Sequence, residues 1–179
     1  MRKVSLTFLA ILLLFVFTAA SVTIGAVKGF RQEKAQVDSA LGSLGPLFAT
    51  RVETGNNLLT VAHRHLPPEN ALVEAVARNV QELSAQGPLP LRAQANTRLE
   101  ENAKALLAAL ENTPGVQADS RDLSYVTGLL PQALDQSAQW TDAGSYNQAA
   151  MAFNERLNGT FSGFLARLFG EAEAQLFIP

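Results

Sequence analysis

The chain has 179 residues, 47 % of them hydrophobic and 17 % charged, which is too apolar for a disordered tail and long enough for one domain of ordinary size. It has no cysteine and two histidines, His63 and His65, which excludes thiol catalysis, zinc fingers, iron–sulfur clusters and disulfide scaffolds. A net charge of −2, with the lysines and arginines scattered, lacks the electrostatic footprint of a nucleic-acid binder, so no nucleic-acid partner is expected.

The mean hydropathy of +0.09 is high, and the excess sits in residues 4–27, a run of 24 residues without a charge. As a helix this run is about 36 Å long, enough to cross a hydrocarbon core of about 30 Å. A transmembrane anchor over residues 1–30 is expected, with membrane lipid as its partner through residues 4–27. The alternative is a cleaved signal peptide, with Arg2 and Lys3 as its basic start and Thr18-Ala19-Ala20 as its cleavage site. The apolar run continues past Ala20 through Val22, Ile24, Ala26 and Val27, longer than a signal peptide needs, and this favours the anchor. Flanking charges, Arg2 and Lys3 against Lys28, Arg31 and Lys34, leave the orientation open.

Beyond the anchor, apolar residues recur at helical spacing throughout residues 31–179. The first helix should leave the membrane through Val37, Leu41, Leu44, Phe48, Leu59 and Ala62, with a kink near Leu44 and Pro46. His65-Leu66-Pro67-Pro68 predicts a turn, and a second helix follows over about 69–85 with Val73, Val76, Val80 and Leu83 inward. The third is expected over about 91–112, with Leu99, Ala103, Leu106 and Leu110 on one face. Asp119 or Ser120 should cap a long fourth helix, bent at Pro131 and at Asp142-Ala143-Gly144. Short loops make such helices antiparallel neighbours, so the fold class is all-α: an N-terminal transmembrane helix followed by a four-helix bundle. The fourth helix then returns to the membrane a short amphipathic tail, residues 161–170, with Phe161, Phe164, Leu165, Leu168 and Phe169 on one side. That tail either closes the bundle end or lies in the lipid interface. Closure is the expected role, because Arg167 is its sole basic residue and Glu171 and Glu173 follow it.

Two stretches carry a family resemblance. Tyr146-Asn147, Ala149 and Phe153-Asn154, followed by Leu165, Leu168-Phe169-Gly170 and Phe177, resemble the Tyr-Asn-x-Ala-x-x-x-aromatic-Asn signature and C-terminal ending of the LemA family of bacterial membrane-anchored proteins. Glu111 to Pro114 is similar to that family's close of its third helix. Arg51 and Asn57-Leu58-Leu59 keep the spacing of a further landmark, although Thr54, Gly55 and Asn56 stand where it has apolar residues and proline. The resemblance implies a divergent member, with the family's anchor and helical fold, a bacterial inner-membrane location with a single pass, and no reaction. Some members are tied to membrane remodelling or organelle biogenesis in magnetic bacteria.

Tyr146 and Phe153, like Asn147 and Asn154, are seven residues apart and share a helical stripe. They are expected to line a contact between the fourth and first helices, with Asn57 as the amide opposite, or else to form a ligand or peptide groove. Chemistry has little support. His63 and His65 point about 200° apart on a helix and cannot share a metal; no Glu-x-x-His motif serves a di-iron site; Glu100-Glu101 reads as a solvated pair. No enzymatic activity, metal or cofactor is expected. A membrane-anchored scaffold or interaction module, partnered by other membrane proteins in an undetermined oligomeric state, is the expected function, with a ligand-sensing bundle as the alternative.

Overall fold

The computed structural model describes residues 2–138 and 142–178. These form helices α1 (Arg2–Gly42), α2 (Leu44–His65), α3 (Ala71–Ser84), α4 (Leu89–Glu111), α5 (Pro114–Ala118) and α6 (Ser120–Ser124). A π-helical turn, Tyr125–Leu129, then leads into α7 (Leu130–Ala138), α8 (Asp142–Gly159) and α9 (Phe161–Leu168). No strand occurs among the described residues, and the fold is all-α as expected.

The breaks follow the proline chemistry. α1 ends at Gly42, the residue whose carbonyl would receive a bond from position 46, and Pro46 has no N–H to give. Ser43 makes the turn at this break, its N–H and Oγ both donating to the Ala40 carbonyl, at 3.2 and 2.6 Å. Asn70 caps α3, accepting from the Leu72 and Val73 amides. Pro114 does more than end a helix. It stands at the first position of α5, where its fixed φ suits helix initiation, so residues read as a stop hold a further short helix. The expected bend at Asp142-Ala143-Gly144 coincides with the start of α8; residues 139–141 lie outside the described ones.

The chain divides into two compact units, which differ from a split at residue 30. The first contains α1 as far as Ser39 together with Gln148–Ala174; the second contains Ala40–Asn147 and the residues from Gln175 on.

In the second unit α2, α3, α4 and the segment of α6, the π turn and α7 form the bundle. Gly55 of α2 lies against Val80 of α3 and Leu99 of α4. Arg51 meets Asn96 of α4 and Leu134 of α7, whereas His65, at the other end of α2, meets Gly115 and Asp122. α4 therefore runs with α2, and α3 and α7 run against it. The core is Leu44, Leu58, Val73, Leu83, Leu99, Leu106, Leu110 and Leu134, each at most 1 % exposed. At Gly55 a Cβ would fall 2.4 Å from a Val80 methyl, so α2 and α3 approach closely only because that residue is glycine.

In the first unit α1 packs on α8 through Phe30 and Phe153, whose rings meet edge to face with centroids 6.0 Å apart. α9 does not perform the closure expected of it. Its inward residues are Gly163 and Ala166; Leu165 is half-buried, while Phe161, Phe164, Leu168 and Phe169 are 48–69 % exposed. The reason is steric. A Cβ at position 163 would come within 2.2 Å of the Leu157 carbonyl oxygen, so α9 rests on the α8 backbone by its small-residue face and its large side chains point out.

The residues up to Ser39 include a helix long and apolar enough to cross a membrane, with a mean hydropathy of 2.4 over its most apolar window and none of that window buried.

Candidate functional site

Arg51 is a buried cation of the bundle, 1 % exposed in the first half of α2. Its guanidinium donates to Asn96 Oδ1 at 2.8 Å, to the Leu134 carbonyl and Ser137 Oγ at 3.1 Å each, and to Glu100 Oε2 at 3.2 Å. One side chain thereby ties α2 to α4 and α7, which is the use a planar five-donor fork suits best. Glu100 also accepts from Lys104 at 2.7 Å; chiefly this bond, with Arg51 behind it, holds its carboxyl below the usual carboxylate range. Glu100-Glu101 is thus not a solvated pair: Glu101 is exposed, and Glu100 is the anionic end of the Arg51 network.

A second ionic cluster joins the other end of α2 to α6. Asp122, fully buried, accepts from Arg64 at 2.7 Å and lies 2.8 Å from His65 Nε2. Because an ionised carboxylate only accepts, that nitrogen is assigned the proton. The His65 hydrogen bond, followed by the Arg64 charge, keeps the Asp122 carboxyl below its ordinary value despite burial. A carboxyl depressed in the folded state contributes stability above its unfolded value, and that contribution is lost as pH falls through the folded one. Acidification below about pH 4 should therefore lower the melting temperature of the wild type more steeply than that of Asp122→Asn. Parallel melting curves of the two proteins across pH 2 to 5 in detergent, about the carboxylate range, check this. Asp119 supports the cluster by capping α6, accepting from the Arg121 and Asp122 amides. His63 points away from the cluster and is exposed.

The asparagines of α8 do not face Asn57. That residue is exposed on α2, beside Thr60, Arg64 and Tyr125, and no amide pairing forms. Asn147 takes both backbone groups of Phe177 instead: its Nδ2 donates to the Phe177 carbonyl and its Oδ1 accepts the Phe177 N–H, each at 2.8 Å. Asn154 does the same with Ala174, donating at 2.9 Å and accepting at 2.8 Å. A primary amide presents one acceptor and two donors in a plane, so it can complete a residue's backbone as a neighbouring strand would. Tyr146 Oη donates to the Gln175 carbonyl from a buried position. Phe177 then sets its ring edge to face on Phe48, which carries the Arg92 guanidinium 3.6 Å from its centroid.

The polar residues singled out by the sequence thus fall into separate places. Arg51 centres the bundle network, Tyr146 and Asn147 hold Phe177 and Gln175, Asn154 holds Ala174, and Phe153 is apolar packing on Phe30. Asn96, Ser137, His65 and Asp122 were not legible as partners, since each is an ordinary helix-surface residue type whose mate lies 45 to 86 residues away for Arg51 and 57 for His65. Among the described residues no group of three or more His, Cys, Asp or Glu side chains is placed to hold a metal ion.

No curated protein and no solved structure matches the chain. The LemA family model matches residues 40–178, which includes the Arg51 network and both asparagine clasps, and the chain belongs to the LemA family.

Proposed function

We propose that the protein is a non-enzymatic, single-pass protein of the bacterial inner membrane, retaining residues 4–27 as its anchor and presenting its helical bundle as a scaffold for other membrane proteins in membrane or envelope organisation. The observation that carries this reading is how the polar side chains are engaged: Arg51, Asp122, His65, Asn147 and Asn154 all bind groups of the same chain. Their arrangement favours a rigid surface over a reactive site.

Thermal-shift measurements on the full chain in detergent test the role. A ligand at 100 times its Kd adds about 2.7 kcal/mol of stability, so a sensor or peptide-binding bundle would show a clear rise in melting temperature with some small molecule or peptide. A scaffold should show none. A dose-dependent rise overturns the scaffold in favour of the ligand-binding alternative. The anchor is tested separately by intact mass: the mature protein should retain Arg2 and Lys3, and a mass beginning at Ser21 would mean a cleaved signal peptide.

A further inference from the structure

The first unit sets two apolar surfaces side by side. One is the uncharged run of α1, which ends at Val27 and is followed by Lys28 and Arg31. The other is the outward face of α9, on which Phe161, Phe164 and Leu168 are exposed, the rings of Phe161 and Phe164 stacked with centroids 6.3 Å apart, continued by exposed Phe169 just past the helix end. The two meet in a groove of about 670 Å³, where Phe169 joins Ile24, Val27, Lys28 and Arg31. The C-terminal end of α9 therefore stands at the level where α1 changes from uncharged to basic, which on a spanning helix is the passage from hydrocarbon to headgroups.

We infer that α9 is a second membrane contact, its aromatic face lying in the interfacial layer of the bilayer that α1 spans, with lipid as its partner. This rests on the anchor reading above. The orientation of α9 is set by Gly163, which lets its inner face lie directly on the Arg156 and Leu157 carbonyls and leaves the aromatic face outward. The acidic residues that follow do not oppose the contact: Glu171 is paired with Arg31 at 3.2 Å, and Glu173 accepts from Asn158 at 2.8 Å. Eight residues are few for an isolated peptide to stay on a bilayer. Beside a spanning helix, however, the contact is intramolecular and has the effective concentration of a tethered group.

The test uses the full chain in lipid vesicles, with the single native tryptophan removed by Trp140→Phe and one reporter introduced at a time. Phe164→Trp and, as a second reporter, Phe161→Trp replace exposed rings; Phe15→Trp reports the centre of the α1 run. Lipids brominated near the headgroup end of the acyl chain should quench the tryptophans at positions 164 and 161, with blue-shifted emission, and lipids brominated near the chain end should quench position 15. Quenching at position 15 with none at 164 and 161 overturns the α9 contact and leaves the anchor standing. Absence of quenching at position 15 overturns the anchor, and with it the level assigned to α9, whatever the other two report.

Discussion

Arg51→Met should destabilise the protein by about 3 kcal/mol, because it removes a buried charge whose acceptors on α4 and α7 then lose their donor in a site closed to water. The methionine fills most of the volume, so the loss reports the hydrogen bonds more than a cavity. Glu100→Gln should cost far less, about 1 kcal/mol, since that side chain is one-third exposed and keeps an oxygen facing the guanidinium. Arg51→Lys should fall between the two: an ammonium keeps the charge but cannot span acceptors on two helices. Urea unfolding of each variant in a mild detergent checks the order. If Arg51→Met stayed within about 1 kcal/mol of wild type, the network would be ornamental to stability and its place in the bundle would need another account.

Asn147→Asp should release the segment that Phe177 anchors, at about 1–3 kcal/mol. The change keeps an oxygen for the Phe177 N–H, but it sets a carboxylate against the Phe177 carbonyl where a donor stood. Hydrogen exchange at the Phe177 amide should accelerate, while exchange in the α3 and α4 core stays slow. Asn147→Ala and Asn57→Ala should be additive, as expected of residues without shared partners. Coupling between them would contradict the clasp described here.

The helices were readable because their punctuation is written in residue types: prolines at 46, 67, 68, 88 and 114 fall within a few residues of element ends or starts, and the inward positions keep a period near 3.6. The family signature was likewise legible, as a pattern of aromatic and amide residues at fixed intervals. What it binds was not. Asn147 and Asn154 pair with main-chain groups, which every residue has and no sequence pattern marks, so a search for a complementary side chain led to Asn57. The face chosen by α9 was hidden for a related reason: periodicity identifies an apolar side, but Gly163 shows that the packed side can be the small one.

The π-helical turn carries a consequence for how the gene can change length. Asp122, Val126, Leu130 and Leu134 are all buried at strict intervals of four, and three such steps overrun three α-helical turns by about 1.2 residues. The wider turn at Tyr125–Leu129, whose bonds reach one residue further than those of an α-helix, takes up that surplus. Losing a codon within it, such as that of Gly128, would restore ordinary helical pitch and keep both ends of the segment facing α2. A codon lost from the middle of α4 would instead rotate everything after it by about 100°. This turn is therefore a place where the chain can lose one residue and keep its core in register.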